Sequence, residues 1–426
     1  MSSRRDEARL VVRLAANRAV TSVFAALGDP LCQLQLPRNI ADPHPVYRKL
    51  RARGPFYRSR LGYWATTSYQ LSNEIMRDPR FGMRNRAGVV TFSDEVTRPS
   101  LSLVDESMLK QDPPNHGRLR RLASPAFRRG PLADKVGKTI EKTVQTLLGE
   151  AEVRGEFDLI SDLATPLPIT VIAELLGVPN VDIGRLARYG VVLGAAMDGL
   201  RSRQHLRDFR QSSGELTELF RRLIEQRRSD PADDLLSVLV AARDEDVITE
   251  PELIASCRLL LMAGFETTVN LIGNAVLSLL RNPDQWELLT GRPELAHGAV
   301  EETLRYEPPL QANLRVAHTD VVLAGRRIPA DSTMLVLLGA ANRDPDVFDE
   351  PDRFDITRAG PEHLSFGGGI HYCLGAPLAR LEAEIALRAL AEWMPGLRLA
   401  GRPQWRPGAT VHGLLHLPVR NGTRSP

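Results

Sequence analysis

Phe366-Gly367-Gly368-Gly369-Ile370-His371-Tyr372-Cys373-Leu374-Gly375 is the stretch that decides how this chain is read. It carries one cysteine to the end of a glycine-rich loop, just ahead of a helix-forming run. Glycines let the backbone turn tightly and let a flat ligand come close to the main chain. From Gly375 to about Met394 the residues are mostly Ala, Leu, Glu and Arg, with apolar positions at helical spacing. The pattern predicts Cys373 at a helix N-terminus, where the dipole and free N–H groups favour a thiolate. A thiolate beside a glycine platform suits an axial ligand of haem iron.

The chain has three cysteines. A lone cysteine is most often a small buried hydrophobe, and that reading suffices for Cys32 and Cys257, which have no ligand-like neighbours. Zinc fits poorly, because no second Cys or His stands at a short C-x2-4-C spacing. The pattern Phe366, Gly367, Gly369, His371, Cys373, Gly375 resembles the haem loop of the cytochromes P450. That resemblance implies haem b with Cys373 as the proximal thiolate, Gly367 in the cofactor loop and Phe366 near the sulfur. It also implies that Gly375 lets a backbone N–H approach the sulfur and that His371 points toward a haem propionate.

Length alone, 426 residues, predicts two or three domains, yet no linker, repeat or low-complexity block divides the chain. The resemblance implies one mainly α domain with small β-sheets over 31–426, its haem buried between a long distal helix and the Cys loop. Residues 1–30 read as a helical N-terminal extension. With 43% hydrophobic residues there is material for a large core, and a net charge of +3 is too small to argue for nucleic acid. No run of 18 or more apolar residues occurs, so no transmembrane anchor is expected. Arg5, Arg9 and Arg13 recur along one face of the predicted helix from Arg4 to Leu27, with Arg18 close behind, and they interrupt any signal-peptide core. A surface helix laid on the domain and a membrane-surface anchor are both compatible with that pattern. Few cysteines and no signal point to the cytoplasm, and the chain resembles the soluble bacterial branch of the family.

The second feature is Leu259-Leu260-Leu261-Met262-Ala263-Gly264-Phe265-Glu266-Thr267-Thr268, inside a predicted helix from about Pro251 to Leu280, with Pro283 just beyond. The run is apolar nearly all round, so it should cross the core. An acid there is costly unless paired or wet. Thr267 can return its hydroxyl to the Ala263 carbonyl and loosen the helix, and Gly264 has no side chain to block a ligand. A kinked core helix with Glu266 bonded elsewhere fits the same residues. The segment resembles the P450 distal-helix motif, which implies that Thr267 hydrogen-bonds the bound dioxygen and Glu266 relays protons from solvent. Ala263 and Gly264 then lie against the haem. The intact Glu266-Thr267 pair argues against the peroxide-driven subgroup. A P450-fold peroxygenase or isomerase, and a haem-binding protein without turnover, remain the alternatives.

Glu302 and Arg305 are three apart on one helix face, a weak signal alone. Placed upstream of the Cys loop they resemble the family's E-x-x-R motif, which implies a buried structural clamp whose third member is Arg353. His116 and Arg120, four apart after Asp112-Pro113-Pro114, resemble the residues that bind propionates, as does Arg315 in Leu314-Arg315-Val316. Arg118, Arg121, Arg128 and Arg129 read as solvated, or together as a face for an acidic electron donor. By position, the substrate wall takes Leu259, Met262, Ala263 and Thr267, then Leu310, Gln311, Ala312 and Asn313, then Val411, His412 and Leu414, with part of 88–109 as a lid. Such a wall is mainly apolar and suits a lipophilic small molecule. The resemblance implies a monooxygenase that uses O2 and two electrons, delivered by a ferredoxin and an NAD(P)H-dependent ferredoxin reductase, to hydroxylate or epoxidise it.

Overall fold

In the computed structural model, which describes residues 4–89, 104–179, 182–196, 199–200 and 202–422, the longest helix opens on a capping box. The Thr249 hydroxyl accepts from the N–H of Glu252, the Glu252 carboxylate accepts from the N–H of Thr249, and Pro251 lies in the first turn. The helix runs from Glu250 to Arg281. Arg118 pairs with Glu252 at this end, so it is not the solvated arginine expected. By length and hydropathy the helix qualifies as a membrane span, but 72% of its apolar window is buried inside the fold, as befits a core helix.

The main helices in chain order are α1 (Arg4–Ala26), α2 (His44–Arg51), α3 (Tyr69–Arg77), α4 (Asn115–Ala123), α5 (Arg129–Arg154), α6 (Pro166–Leu176), α7 (Ile183–Ala195), α8 (Arg203–Ser229), α9 (Leu235–Asp244), α10 (Glu250–Arg281), α11 (Ala296–Tyr306) and α12 (Ala376–Trp393). In α5 the buried residues Leu132, Val136, Ile140, Val144, Leu148 and Ala151 recur every three or four positions. This stripe packs on α6 and α12, and each large member contributes about 1.5–3 kcal/mol by leaving water. α10 crosses the middle of the same core, touching α6, α7, α11 and α12. The N-terminal helix α1 lies against the turn Pro30–Gln33 and α8. Of the predicted lid, residues 90–103 lie outside the described residues.

The strands are short: β1 (Tyr57–Arg58), β2 (Trp64–Thr66), β3 (Phe81–Gly82), β4 (Glu156–Asp158), β5 (Asn313–Ala317), β6 (Val321–Leu323), β7 (Arg326–Ile328), β8 (Thr333–Val336), β9 (Leu397–Leu399), β10 (Gln404–Trp405), β11 (Leu414–His416) and β12 (Pro418–Asn421). The principal sheet has the order β1-β2-β8-β5-β3, with β2 and β8 parallel and the other pairs antiparallel. Its member β5 carries Asn313 and Arg315 on alternate positions, and hence on one face. The hairpin of β10 and β11 is stitched to the chain after α11. Gln311 N–H donates to Thr410 O at 2.9 Å, His412 N–H to Pro309 O at 2.8 Å, and Leu310 faces Val411 across an isolated bridge.

Candidate active site

The Cys loop is closed by its own backbone: the N–H of Cys373 donates to the carbonyl of Phe366 at 2.8 Å. Gly367 and Gly369 have φ of 74° and 64°, values that favour glycine. A Cβ on Gly369 would also stand 2.5 Å from the carbonyl oxygen of Met76. Helix α12 starts at Ala376, and the N–H groups of Gly375 and Ala376 point at the sulfur. Burial pushes the Cys373 thiol up, opposed by those two N–H groups and by Arg120 and Arg380. Cys373 nonetheless has exposed surface. Together these facts put the sulfur on the wall of an internal cavity. Phe366 is held by Arg380, whose guanidinium lies 4.5 Å from the ring centroid and pairs with Glu301 at 2.7 Å.

On α10, Leu259, Ala263 and Thr267 form a stripe along one face, and Ala263 is exposed although it stands mid-way along a core helix. Three side chains return to helix carbonyls at this point. Thr267 Oγ1 donates to Ala263 O at 3.2 Å, Thr268 Oγ1 to Gly264 O at 3.5 Å, and Asn270 Nδ2 to Glu266 O at 2.8 Å. Gly264 does not serve the purpose expected of it. A Cβ there would meet the Ile172 side chain at 2.6 Å, so its bareness admits α6 rather than a ligand. Glu266 is buried, and its Oε1 lies 2.7 Å from Nη2 of Arg406. Burial raises its carboxyl pKa and Arg406 opposes the shift. Two glycines of α7 face this region: a Cβ on Gly194 would stand 2.4 Å from Glu266 Oε1, and one on Gly190 would stand 2.1 Å from the Phe265 ring.

A third group gathers from three elements. The rings of His116, on α4, and His371, in the Cys loop, have centroids 4.3 Å apart. Nε2 of each, and Nη2 of Arg315 on β5, are buried without a hydrogen-bond partner. Burial, then the positive charge of Arg315, His116, Arg120 and Lys110, drives His371 down to about 3. Arg120 Nη2 donates to Tyr372 O at 2.8 Å. Buried, unpartnered ring nitrogens gathered about a cationic arginine with a free N–H call for an anion. With the cavity-wall thiol and the bare turn of α10 at Ala263, they fit a flat, dianionic, sulfur-ligated group such as haem.

Several sequence expectations are corrected. Glu302 does form a buried fork with Arg305, at 2.7 and 2.8 Å. The second guanidinium on it belongs to Arg358, 3.2 Å from Oε1, and not to Arg353. The Arg353 side chain is 57% exposed and pairs with Glu350 and Asp355, while its carbonyl accepts from Arg305 and Arg358. Gln311 is not in a substrate wall: Oε1 accepts from the Tyr47 hydroxyl at 2.8 Å and Nε2 donates to Pro308 O at 2.7 Å. His412 stacks on Trp405 at 4.4 Å and lies 2.9 Å from Glu307. Ala312 packs into the N-terminal cluster around Tyr47 and Leu50. Asn313 accepts from Arg315 at 3.2 Å and borders Gly367, so it belongs to the anion-binding side. Leu259 and Met262 are half-buried against the main core, and Val411 is buried opposite Leu310.

Sequence reading missed Arg406, Arg358, Asn270 and the two α7 glycines, all of which act across long sequence separations or lack a motif. It also passed over Glu382 on α12, buried with both carboxylate oxygens unpartnered and its pKa raised well above 4.5 by burial. A polar cleft of about 350 Å³ between α2, the end of α11 and Trp405 contains none of the expected site residues.

Comparisons with known proteins identify the family. The family model for Cytochrome P450 matches residues 198–290 and 293–391. The chain is 42% identical over 395 residues to the cytochrome P450 monooxygenase PikC of Streptomyces venezuelae, covering 89% of this chain and 91% of that one. It is 39% identical over 395 residues to the 6-deoxyerythronolide B hydroxylase of Saccharopolyspora erythraea, covering 89% and 96%. Among solved structures, P450BioI in complex with hexadec-9Z-enoic acid ligated acyl carrier protein superposes with a TM-score of 0.83 at 40% identity, covering 90% of this chain and 99% of that one. The chain belongs to the cytochrome P450 family. Within it, the chain is a monooxygenase, an oxidoreductase.

Proposed function

We propose that Cys373 ligates haem b as a thiolate and that the chain hydroxylates or epoxidises a lipophilic small molecule. The observation that carries this is the Cys373 sulfur on a cavity wall, with the N–H groups of Gly375 and Ala376 directed at it. Haem, when bound, supplies the activation of dioxygen. The residues of the chain do the rest. His116, His371, Arg315 and Arg120 hold the propionates, and Ala263 leaves room for the ring. Thr267 Oγ1, resting on the Ala263 carbonyl, delivers protons to the cavity, and Glu266 replenishes them. The apolar side chains of Leu259, Met262 and Ala263 keep out stray water and meet the substrate. Glu302, Arg305 and Arg358 fix the frame behind the Cys loop.

A ferredoxin and an NAD(P)H-dependent ferredoxin reductase supply the electrons in this reading, and the cytoplasm is its compartment. The bacterial relatives support both assignments, and the intact Glu266-Thr267 pair supports the use of delivered electrons rather than peroxide. The relatives name different molecules, 6-deoxyerythronolide B and a carrier-bound hexadecenoic acid, so the lipophilic class carries over and the particular molecule does not. The test is a type I spectral-shift screen for a ligand, followed by turnover with ferredoxin, reductase and NADH. Product formed in step with NADH supports the reading. Product formed with hydrogen peroxide but never with the electron-transfer chain would replace it with a peroxygenase.

A further inference from the structure

Glu266 sits where three elements meet, and each constrains it differently. Its own helix α10 offers no counter-charge: Phe265 is apolar and Asn270 donates to the Glu266 backbone carbonyl. Helix α7 turns Gly190 and Gly194 toward it. The remaining neighbour is the β10–β11 hairpin, whose Arg406 Nη2 lies 2.7 Å from Oε1, both side chains being about nine-tenths buried (11% and 8% exposed). Arg406 is the one charge acting on this carboxyl among the described residues. The hairpin does not flex freely. Arg406 N–H donates to Gly413 O at 2.9 Å, Trp405 stacks on His412, and His412 reaches Glu307 at the end of α11.

We propose that Arg406 is a positioning residue for Glu266: delivered by the pinned hairpin, it holds the carboxylate form in a dry site and sets the pH at which that acid takes a proton. A carboxyl enclosed by α7 and α10 with no cation would stay protonated and could accept nothing from solvent. With Arg406 in contact the anion is tolerated, and Oε1 is aimed at the hairpin rather than along the helix. The acid of the proton path is then poised by a side chain more than a hundred positions downstream of Glu266 and Thr267. The proposal rests on Glu266 serving as the relay, and its test is independent of turnover.

The measurement is an infrared pH titration of the haem-loaded protein, in which the Glu266 carboxyl band is isolated by subtracting the spectrum of Glu266→Gln. In Arg406→Gln the midpoint of that band should rise by at least about one pH unit, a tenfold gain in proton affinity. Arg406→Lys, which keeps the charge, should restore most of the difference. An unchanged midpoint in Arg406→Gln, with haem content and CO spectrum intact, overturns the proposal. Should Arg406→Gln fail to fold, the double variant Glu266→Gln/Arg406→Gln decides, since removing the stranded acid then restores folding. A double variant that also fails gives Arg406 a role unrelated to Glu266. If the titration succeeds but Glu266→Gln turns over normally, the relay assignment falls and the pairing stands.

Discussion

The N–H of Cys373 donates to the carbonyl of Phe366 at 2.8 Å, and that bond fixes the direction of the sulfur. The loop is closed by its own backbone. Reduced protein with CO should therefore give the strongly red-shifted Soret band of thiolate-ligated haem. Cys373→Ala should lose it, and Cys373→His should move it toward the band of histidine-ligated haem. An unchanged band in Cys373→Ala removes the ligand assignment.

The two arginines near Glu302 should separate cleanly. Arg358→Ala removes a buried contact to a carboxylate, at about 1.5–3 kcal/mol, whereas Arg353→Ala removes an exposed side chain and should stay within about 0.5 kcal/mol of wild type. Arg305→Ala strands Glu302 in the core, at about 3–5 kcal/mol, and should give haem-poor or insoluble protein. Denaturation midpoints and haem content measure all three. Equal losses at Arg353 and Arg358 would restore Arg353 to the clamp.

Thr267→Ala should keep haem and substrate binding, because its hydroxyl only returns to the Ala263 carbonyl. It should consume NADH but divert much of it to hydrogen peroxide. Glu266→Gln should slow NADH consumption itself, since the relay loses its titratable member. Product, NADH and peroxide are measured together. Wild-type coupling in Thr267→Ala would place proton delivery elsewhere.

Glu301 predicts an acid-dependent stability. Burial alone raises its carboxyl, but His363 and Arg380 reverse the shift and hold it at about 2, against an ordinary 4.5. A depressed carboxyl adds stability above its unfolded value, and that contribution is lost as pH falls from 4.5 through about 2. Glu301→Gln should melt below wild type near neutrality, with the gap closing across that acid window. A gap that does not change with pH refutes the assignment.

Features set by neighbours in sequence were legible from the sequence. The glycine loop, the helix after Cys373 and the apolar run around Glu266 depend on local spacing, and each folds where that spacing places it. Contacts made across the fold were not. Arg353 and Arg358 share one irregular segment, and only its path decides which guanidinium turns inward. Gln311 and His412 lie in stretches adjacent to the expected wall, but hairpin pairing turns them into the protein, where Tyr47 and Glu307 take their polar atoms. Gly264 was read for the ligand side of its helix, while its bare face meets Ile172. No periodicity in the sequence links Arg406 to Glu266.

The notch in α7 restricts how that helix can move. Gly194 receives the Glu266 carboxylate where any β-carbon would collide, and its neighbours Leu193 and Ala195 both carry one. Turning α7 about its axis by one residue would swing a β-carbon against the acid, so the notch fixes the rotation of the helix about its own axis. Gly190 stands one turn away on the same face, so the bare strip runs along the helix and not around it. Any motion that lifts α7 off this strip uncovers the carboxyl it encloses.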